Sequence, residues 1–230
     1  MKFSQRSSQK ELLDGDNVPA DAIAKNMEEL EIINRRLGGH RVSLEGFRAL
    51  VNAKQAITLC EIGCGGGDNL KAIMRKFSGR DLQIKVIGID KNPDCIAIAR
   101  KKFSLPGAEF IVSDYRNVKF EYQKPDIIFA SLFCHHFTNE ELNAVLLWMK
   151  ENSRLGFFIN DLHRSPFAYY SIRLLTSAFS RSYLVKNDAP LSVLRGFSKE
   201  DWQGLLRLAN IESYSIKWKW AFRWLVISKN

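Results

Sequence analysis

Apolar positions recur every three or four residues from Asp21 to Leu37, where Ile23, Met27, Leu30, Ile33 and Leu37 share one face. That period predicts an amphipathic helix. Gly38-Gly39 stops it, and the pattern resumes as a short helix over Ser43–Asn52. From Ala56 the period changes. Ile57–Ile62 is a short apolar run ending in glycines, and Ile84–Ile89, Glu109–Val112, Asp126–Ser131 and Leu155–Asp161 are further buried strands. Helical stretches separate them at Asp68–Phe77, Pro93–Phe103 and Asn139–Asn152. Pro93 suits a first helical turn, where its missing N–H costs nothing. Thr138 with Glu141 three residues on forms a capping box. Short apolar strands alternating with helices predict an α/β fold: a parallel sheet covered on both faces.

After Asp161 the rhythm breaks. Pro166–Ser180 reads as helix, Arg181–Arg195 as irregular chain, and Ser198–Asn210 as a helix capped by Ser198 with Asp201. Two β-rich segments, Glu212–Trp220 and Phe222–Ser228, close the chain. Ile216, Trp218 and Trp220 share one face with Lys217 and Lys219 on the other. The tryptophan face, with Trp224, reads as core. The organisation expected is a helical extension over 1–55, whose first 17 or so residues are polar and mobile, then one domain over 56–230. Residues 162–197 are an insert within it.

Composition changes this picture little. The chain of 230 residues is long enough for one well-stocked core, and its 46% apolar and 26% charged content is ordinary. Cys60, Cys64, Cys95 and Cys134 form no Cys-x-x-Cys pair, so no metal knuckle or disulfide framework is expected. The N-terminus lacks the apolar stretch of a signal peptide, and no run approaches membrane-spanning length. A cytoplasmic protein with reduced thiols is the expectation. Net charge is +9, and from Glu151 onward twelve Lys or Arg face six Asp or Glu. Such a surface can attract nucleic acid, an anionic membrane or an acidic small molecule, or simply face solvent.

The candidate chemistry lies in Glu61-Ile-Gly-Cys-Gly-Gly-Gly67-Asp68. A strand ending in Gly63-x-Gly65-x-Gly67 can turn sharply and let a ligand approach bare backbone. Beyond the carboxyl end of a central strand, that crevice is where open α/β sheets bind ligands. A dinucleotide fingerprint needs glycine at position 68, where Asp68 stands, and a phosphate loop needs a Gly-Lys-Ser/Thr that is absent. Glu61 would repel a pyrophosphate but suits a cationic ligand. Asp90 ends the second strand beside this turn, where a carboxylate can accept both ribose hydroxyls. Asp114 ends the third, where it or the adjoining backbone can read an adenine edge.

With these residues, Ala56–Asp161 resembles the class I S-adenosylmethionine methyltransferases, whose first strand ends in an acid, two residues and alternating glycines. The resemblance implies a Rossmann-like, mostly parallel seven-stranded sheet with helices on both faces. It implies S-adenosyl-L-methionine (SAM) as cofactor and S-adenosyl-L-homocysteine (SAH) as product. Glu61, Gly63, Gly65 and Gly67 would hold the methionine moiety, Asp90 the ribose, with Lys91 or Asn92 beside it. Asp114 and Tyr115 would line the adenine pocket, and Ser131 and Leu132 would lie beneath the amino group and the reactive methyl. More narrowly, Glu11-Leu-Leu-Asp14 through Leu37-Gly-Gly-His-Arg41, and Asn160-Asp-Leu-His-Arg164, resemble small bacterial methyltransferases of secondary metabolism, neighbours of type III polyketide synthases. A hydroxylated aromatic or polyketide-like acceptor follows from that likeness.

The fourth strand runs into Ser131-Leu-Phe-Cys-His-His136 rather than the Asn/Asp-Pro-Pro-Tyr/Phe usual in methylation of base amines or glutamine amides. His135, His136 and, past the fifth strand, His163 are the acid–base candidates, since imidazole titrates near neutrality. Asp161 can reach His163 or His136. Phe167, Tyr169 and Tyr170 are candidate walls of an acceptor pocket under a lid, the alternative being a helical pair packed on the core or a homodimer contact. His40 and Arg41 are candidates for the methionine carboxylate. The function expected is methyl transfer to a small-molecule hydroxyl or activated carbon, with loose peripheral membrane contact left open. RNA or protein methylation and a non-catalytic SAM-binding module are the alternatives.

Overall fold

A computed structural model describes residues 3–15, 18–51, 56–77, 79, 82–103, 107–121 and 123–230. Seven strands form one sheet among them: β1 (Ala56–Ile62), β2 (Gln83–Asp90), β3 (Ala108–Val112), β4 (Ile127–Ser131), β5 (Gly156–Leu162), β6 (Tyr214–Lys219) and β7 (Arg223–Lys229). Their order is β3-β2-β1-β4-β5-β7-β6. The first five are parallel, and β7 enters antiparallel between β5 and β6. Strand order reverses between β1 and β4, which opens a crevice beyond their carboxyl ends.

The period-two alternation of the strands splits the core into two layers. Cys60, Ile62, Ile128, Phe157 and Ile159 pack on one face with Leu146 of α5 (Asn139–Asn152) and Trp202 of α8 (Lys199–Leu208). Leu59, Val86, Phe129 and Phe158 face the other way. They meet Phe47 of α2 (Gly39–Leu50), Ile73 of α3 (Asp68–Phe77) and Ile96 of α4 (Pro93–Lys102). Both expected capping boxes form, Thr138 with Glu141 and Ser198 with Asp201.

Four expectations need correction. The second helix begins at Gly39 because Gly38 takes a left-handed φ of +79°, which reverses the chain after α1 (Ala20–Arg36). That helix ends at Leu50, and Asn52 lies outside the described residues. Residues 181–195 are not irregular: α7 (Tyr183–Arg195) follows α6 (Pro166–Phe179), capped by Ser182 on the N–H of Val185. Pro190 and the polar Lys186-Asn187-Asp188 run hid it. Trp218 and Trp220 are exposed because β6 is an edge strand, and only Ile216 reaches the core. Residues 3–15 are not a free polar tail. They lie across the carboxyl edge of the sheet, with the Phe3 ring edge-on to Tyr169 and the Ser7 N–H bonded to Leu194. No helix among the described residues is long and apolar enough to cross a membrane.

Candidate active site

The turn after β1 closes on the end of β2. Gly63 has φ +64°, and a Cβ there would lie 2.0 Å from the ring of Phe133. No other residue fits that position. Gly65, at φ +50°, donates its N–H to Oδ2 of Asp90 (2.9 Å), while Asn92 donates to Oδ1 (2.9 Å). Asp90 therefore points into the glycine turn, as expected. Gly63 and Gly65 line the open cleft with Glu61, Asp90, Lys91, Asp114, Tyr115, Ser131 and Leu132. Gly67 does not. Its left-handed φ completes the turn, and its bare α-carbon faces Phe103, Phe110 and Ala99, so it serves helix packing.

Glu61 is buried, and its Oε2 has no hydrogen-bond partner. Burial, then the neighbouring charges of Asp68 and Asp90, push its carboxyl well above the ordinary range. Burial also raises Asp90, against the two N–H bonds that favour its charge. Two acids at the crevice thus resist ionisation until positive charge arrives. Asp68 differs: burial would raise it, but His40 at 2.7 Å and Asn34 at 3.2 Å hold it low. His40 is spent on that contact, and Arg41 is exposed beside Glu45, so neither projects into the cleft. Arg223, unforeseen, does line it. Its buried guanidinium donates to Asn34 (2.8 Å) and Asn160 (3.2 Å). Leu132 leaves β4 at φ +52°, a strained conformation for a branched residue, with its N–H on Asn160 O at 2.9 Å. At the far rim Arg116 engages both oxygens of Asp114 (2.9 and 2.6 Å), and Tyr115 stacks edge-on against Phe133 and Phe137.

Residues 59–156 match the family model described as a methyltransferase domain. No curated protein sequence matches the chain. Among solved structures, the plantazolicin methyltransferase BpumL in complex with SAH superimposes with a TM-score of 0.64 at 18% identity, covering 90% of this chain and 99% of that one. Human N-acetylserotonin methyltransferase in complex with SAM gives 0.62 at 17%, covering 92% and 56%. Magnesium protoporphyrin IX methyltransferase from Synechocystis with bound SAH gives 0.58 at 13%, covering 94% and 90%. The chain shares the fold of these methyltransferases, and the matched methyltransferase domain runs from β1 to the start of β5.

The cleft of this methyltransferase domain, about 1070 Å³, exceeds what one drug-sized ligand needs. Its second half is built from parts far apart in sequence. His135 is buried, with Nδ1 2.7 Å from Asp161 Oδ1 and Nε2 3.5 Å from Glu11 Oε1. Burial would depress its pKa, but Asp161 and then Glu11 override this and push it up to about 9. Asp161 and Glu11 are held low in return, the imidazole outweighing their burial. His136 sits with Nδ1 3.2 Å from Asp14 and Nε2 3.9 Å from Glu11. Asp14 is likewise held low, His136 outweighing its burial. Arg6 and Arg195 fix the pair by donating to the carbonyls of His135, His136 and Phe137.

The expected partner of Asp161 was His163 or His136; it is His135. His163 turns away from the cleft, its ring 5.2 Å from that of Trp224 and its Nδ1 accepting from Trp218. Its backbone N–H donates to the carbonyl of Phe222, just before β7, and it does not line the cleft, so it leaves the acid–base candidates. The expected aromatic walls are also elsewhere: Phe167 and Tyr170 are exposed, and Tyr169 packs under Phe3. The insert reaches the cleft instead through Ile172, Val185, Ser192 and Val193. Glu11, Asp14 and Arg6 gave no periodic signal. Their one hint is the resemblance carried by Glu11-Leu-Leu-Asp14.

Proposed function

We propose that this chain transfers a methyl group from SAM to a hydroxyl of a small aromatic or polyketide-like molecule. The observation that carries the reading is Glu61. It is a buried carboxyl, lacking a partner for one oxygen, at an open glycine turn beside Asp90. Hydrogen bonds from the Leu70 N–H and the Asn69 side chain do not offset its burial, whereas an ammonium and a sulfonium would. SAM, when bound, supplies an electrophilic methyl on that sulfonium. Gly63 and Gly65 let its methionine part approach the backbone, Glu61 and Ser131 meet its amino group, and Asp90 takes the ribose. Asp114, with Lys91 and Tyr115, borders the adenine end. Arg223 is the cation placed for the carboxylate.

Such a transfer is an in-line displacement, so alignment of the acceptor supplies much of the rate. The part of the cleft left beyond Leu132 is bounded by His135, His136, Phe137, Ile172 and Val193. A planar apolar molecule with a hydroxyl suits these walls, the oxygen lying toward the Glu11–His135–Asp161 array. His135, raised to about 9 by its two carboxylates, is protonated near neutrality, so the array orients the hydroxyl rather than taking its proton. Arg6, Glu11, Leu13 and Asp14 of the leader line the cleft, which favours a small acceptor over a macromolecule. Two of the structural relatives above are named for N-acetylserotonin and magnesium protoporphyrin IX, in keeping with this reading.

The test is to titrate SAM into the protein by calorimetry. Labelled SAM is then incubated with phenols, polyketide pyrones, bulk RNA and a protein lysate. Saturable SAM binding with label on a phenol or pyrone is expected. Label on RNA alone, or binding with no acceptor labelled, would replace this reading with one of its rivals.

A further inference from the structure

The histidine pair has an organisation that proton transfer alone does not require. Each imidazole has its Nδ1 anchored on a separate carboxylate, Asp161 for His135 (2.7 Å) and Asp14 for His136 (3.2 Å). Both Nε2 atoms are thereby turned toward one further carboxylate, Glu11, at 3.5 and 3.9 Å. These separations are long for hydrogen bonds. The 3.5 Å pair has the spacing of two ligands on one ion, since ligands about 2.0–2.2 Å from zinc lie roughly 3–3.6 Å from one another. The 3.9 Å pair, on the other Glu11 oxygen, must close slightly. One ligand atom from each of Glu11, His135 and His136 falls within 4.8 Å of the others.

The surroundings agree. Metal-binding histidines commonly give their second ring nitrogen to a carboxylate, which fixes tautomer and ring orientation. Here that arrangement occurs twice. Three carboxylates, Glu11, Asp14 and Asp161, surround two imidazoles and can offset the charge of a bound dication. Glu11 is itself steadied by the hydroxyl of Ser192 (2.8 Å). The ring centroids lie 4.4 Å apart with their planes 32° from parallel, so the two imidazoles are close neighbours.

We propose that Glu11, His135 and His136 bind one divalent first-row transition ion, zinc being the type case. Asp161 and Asp14 act as outer carboxylates that orient the two imidazoles. No metal-binding spacing marks this site in the sequence, because it uses no cysteine and joins residues more than 120 positions apart. Two histidines and one carboxylate leave coordination positions free, and these face the cleft. An acceptor oxygen could fill one of them. That consequence rests on the proposed methyl transfer, whereas the binding itself does not.

The experiment uses the full chain, stripped with chelator and titrated with Zn²⁺ alone by calorimetry, then with Co²⁺ followed by visible absorption. One equivalent of Zn²⁺ per chain is expected, with Co²⁺ giving the intense visible bands of a low-coordinate site. Glu11→Gln and His136→Gln should each weaken Zn²⁺ binding by at least ~100-fold, and Asp14→Asn by roughly 10–100-fold. Circular dichroism and SAM affinity report whether each variant is folded. Sub-stoichiometric Zn²⁺ binding by the parent protein overturns the proposal. So does equal Zn²⁺ affinity in a folded Glu11→Gln protein. Loss of SAM binding by the parent protein would instead count against methyl transfer, leaving the Zn²⁺ result to stand or fall separately.

Discussion

The two halves of the cleft treat buried acids in opposite ways. At the glycine turn Glu61 and Asp90 have carboxyl pKa values raised by burial, which outweighs the hydrogen bonds they accept and, for Asp90, the nearby charge of Lys91. At the histidine pair, some strands away, Glu11 and Asp161 are equally hidden yet held low by imidazoles. The first half stores an unmet demand for positive charge, and the second is complete within the protein. A site that waits for a cationic ligand is destabilising when empty. A site that is internally paired stabilises the fold and is sensitive to the loss of either partner.

The largest expected effect comes from breaking the paired half. In metal-free buffer Asp161→Asn leaves His135 without its principal counter-charge and should cost about 3 kcal/mol in unfolding free energy. SAM affinity should change less than about threefold if the halves are as separate as their geometry indicates. Chemical denaturation and calorimetry on one preparation read both. A variant of full stability would show that the pair does not hold the fold.

Gly63→Ala attacks the other half sterically. The added carbon meets Phe133 and requires a left-handed backbone, at a cost of roughly 2–3 kcal/mol. Here SAM binding should fall with stability, by more than ~100-fold. Unchanged affinity would mean that the turn does not approach the ligand.

The pH profile sharpens the contrast. His135 is raised to about 9 from near 6.5, so its contribution is complete below the lower value and disappears as pH climbs through the higher. Asp161 and Glu11 are depressed, so theirs is lost in acid, as pH falls through their folded values. Glu61 and Asp90 are raised, and for them acidification relieves the ligand-free fold. The metal-free, ligand-free protein should therefore lose melting temperature between pH 6.5 and about 9. Asp161→Asn should flatten that limb and Glu61→Gln should leave it alone. A limb unaffected by Asp161→Asn would assign the loss to other groups.

How far the sequence foretold each half follows from the same contrast. The glycine turn is local: acid, glycines and the strand end at Asp90 lie within 30 residues. Strand periodicity alone placed them at one crevice. The alternating apolar runs similarly located every strand of the sheet. The histidine half joins Glu11, His135 and Asp161 through tertiary docking of a leader that is neither periodic nor apolar. Hence Asp161 was paired with the wrong imidazole, and His163 was retained although β7 turns it outward. The helix over 183–195 escaped because Pro190 and a polar run mask a face that becomes buried only when the leader packs on it. There the Asp188 carboxylate accepts from Leu12 and Leu13.

The smallest change in stability and the most direct test meet at Glu61. Glu61→Gln should raise ligand-free stability by roughly 1 kcal/mol, since a charge resisted by its surroundings is removed. The decisive measurement is calorimetry of SAM binding near neutral pH in two buffers of different ionisation heat, on the parent protein and on Glu61→Gln. The parent should bind SAM more tightly as pH rises and release a proton on binding, as the carboxyl ionises against the incoming cation. The variant should bind about 10–100-fold more weakly and release none from this position. Binding of equal strength with identical proton release in both proteins would contradict the account.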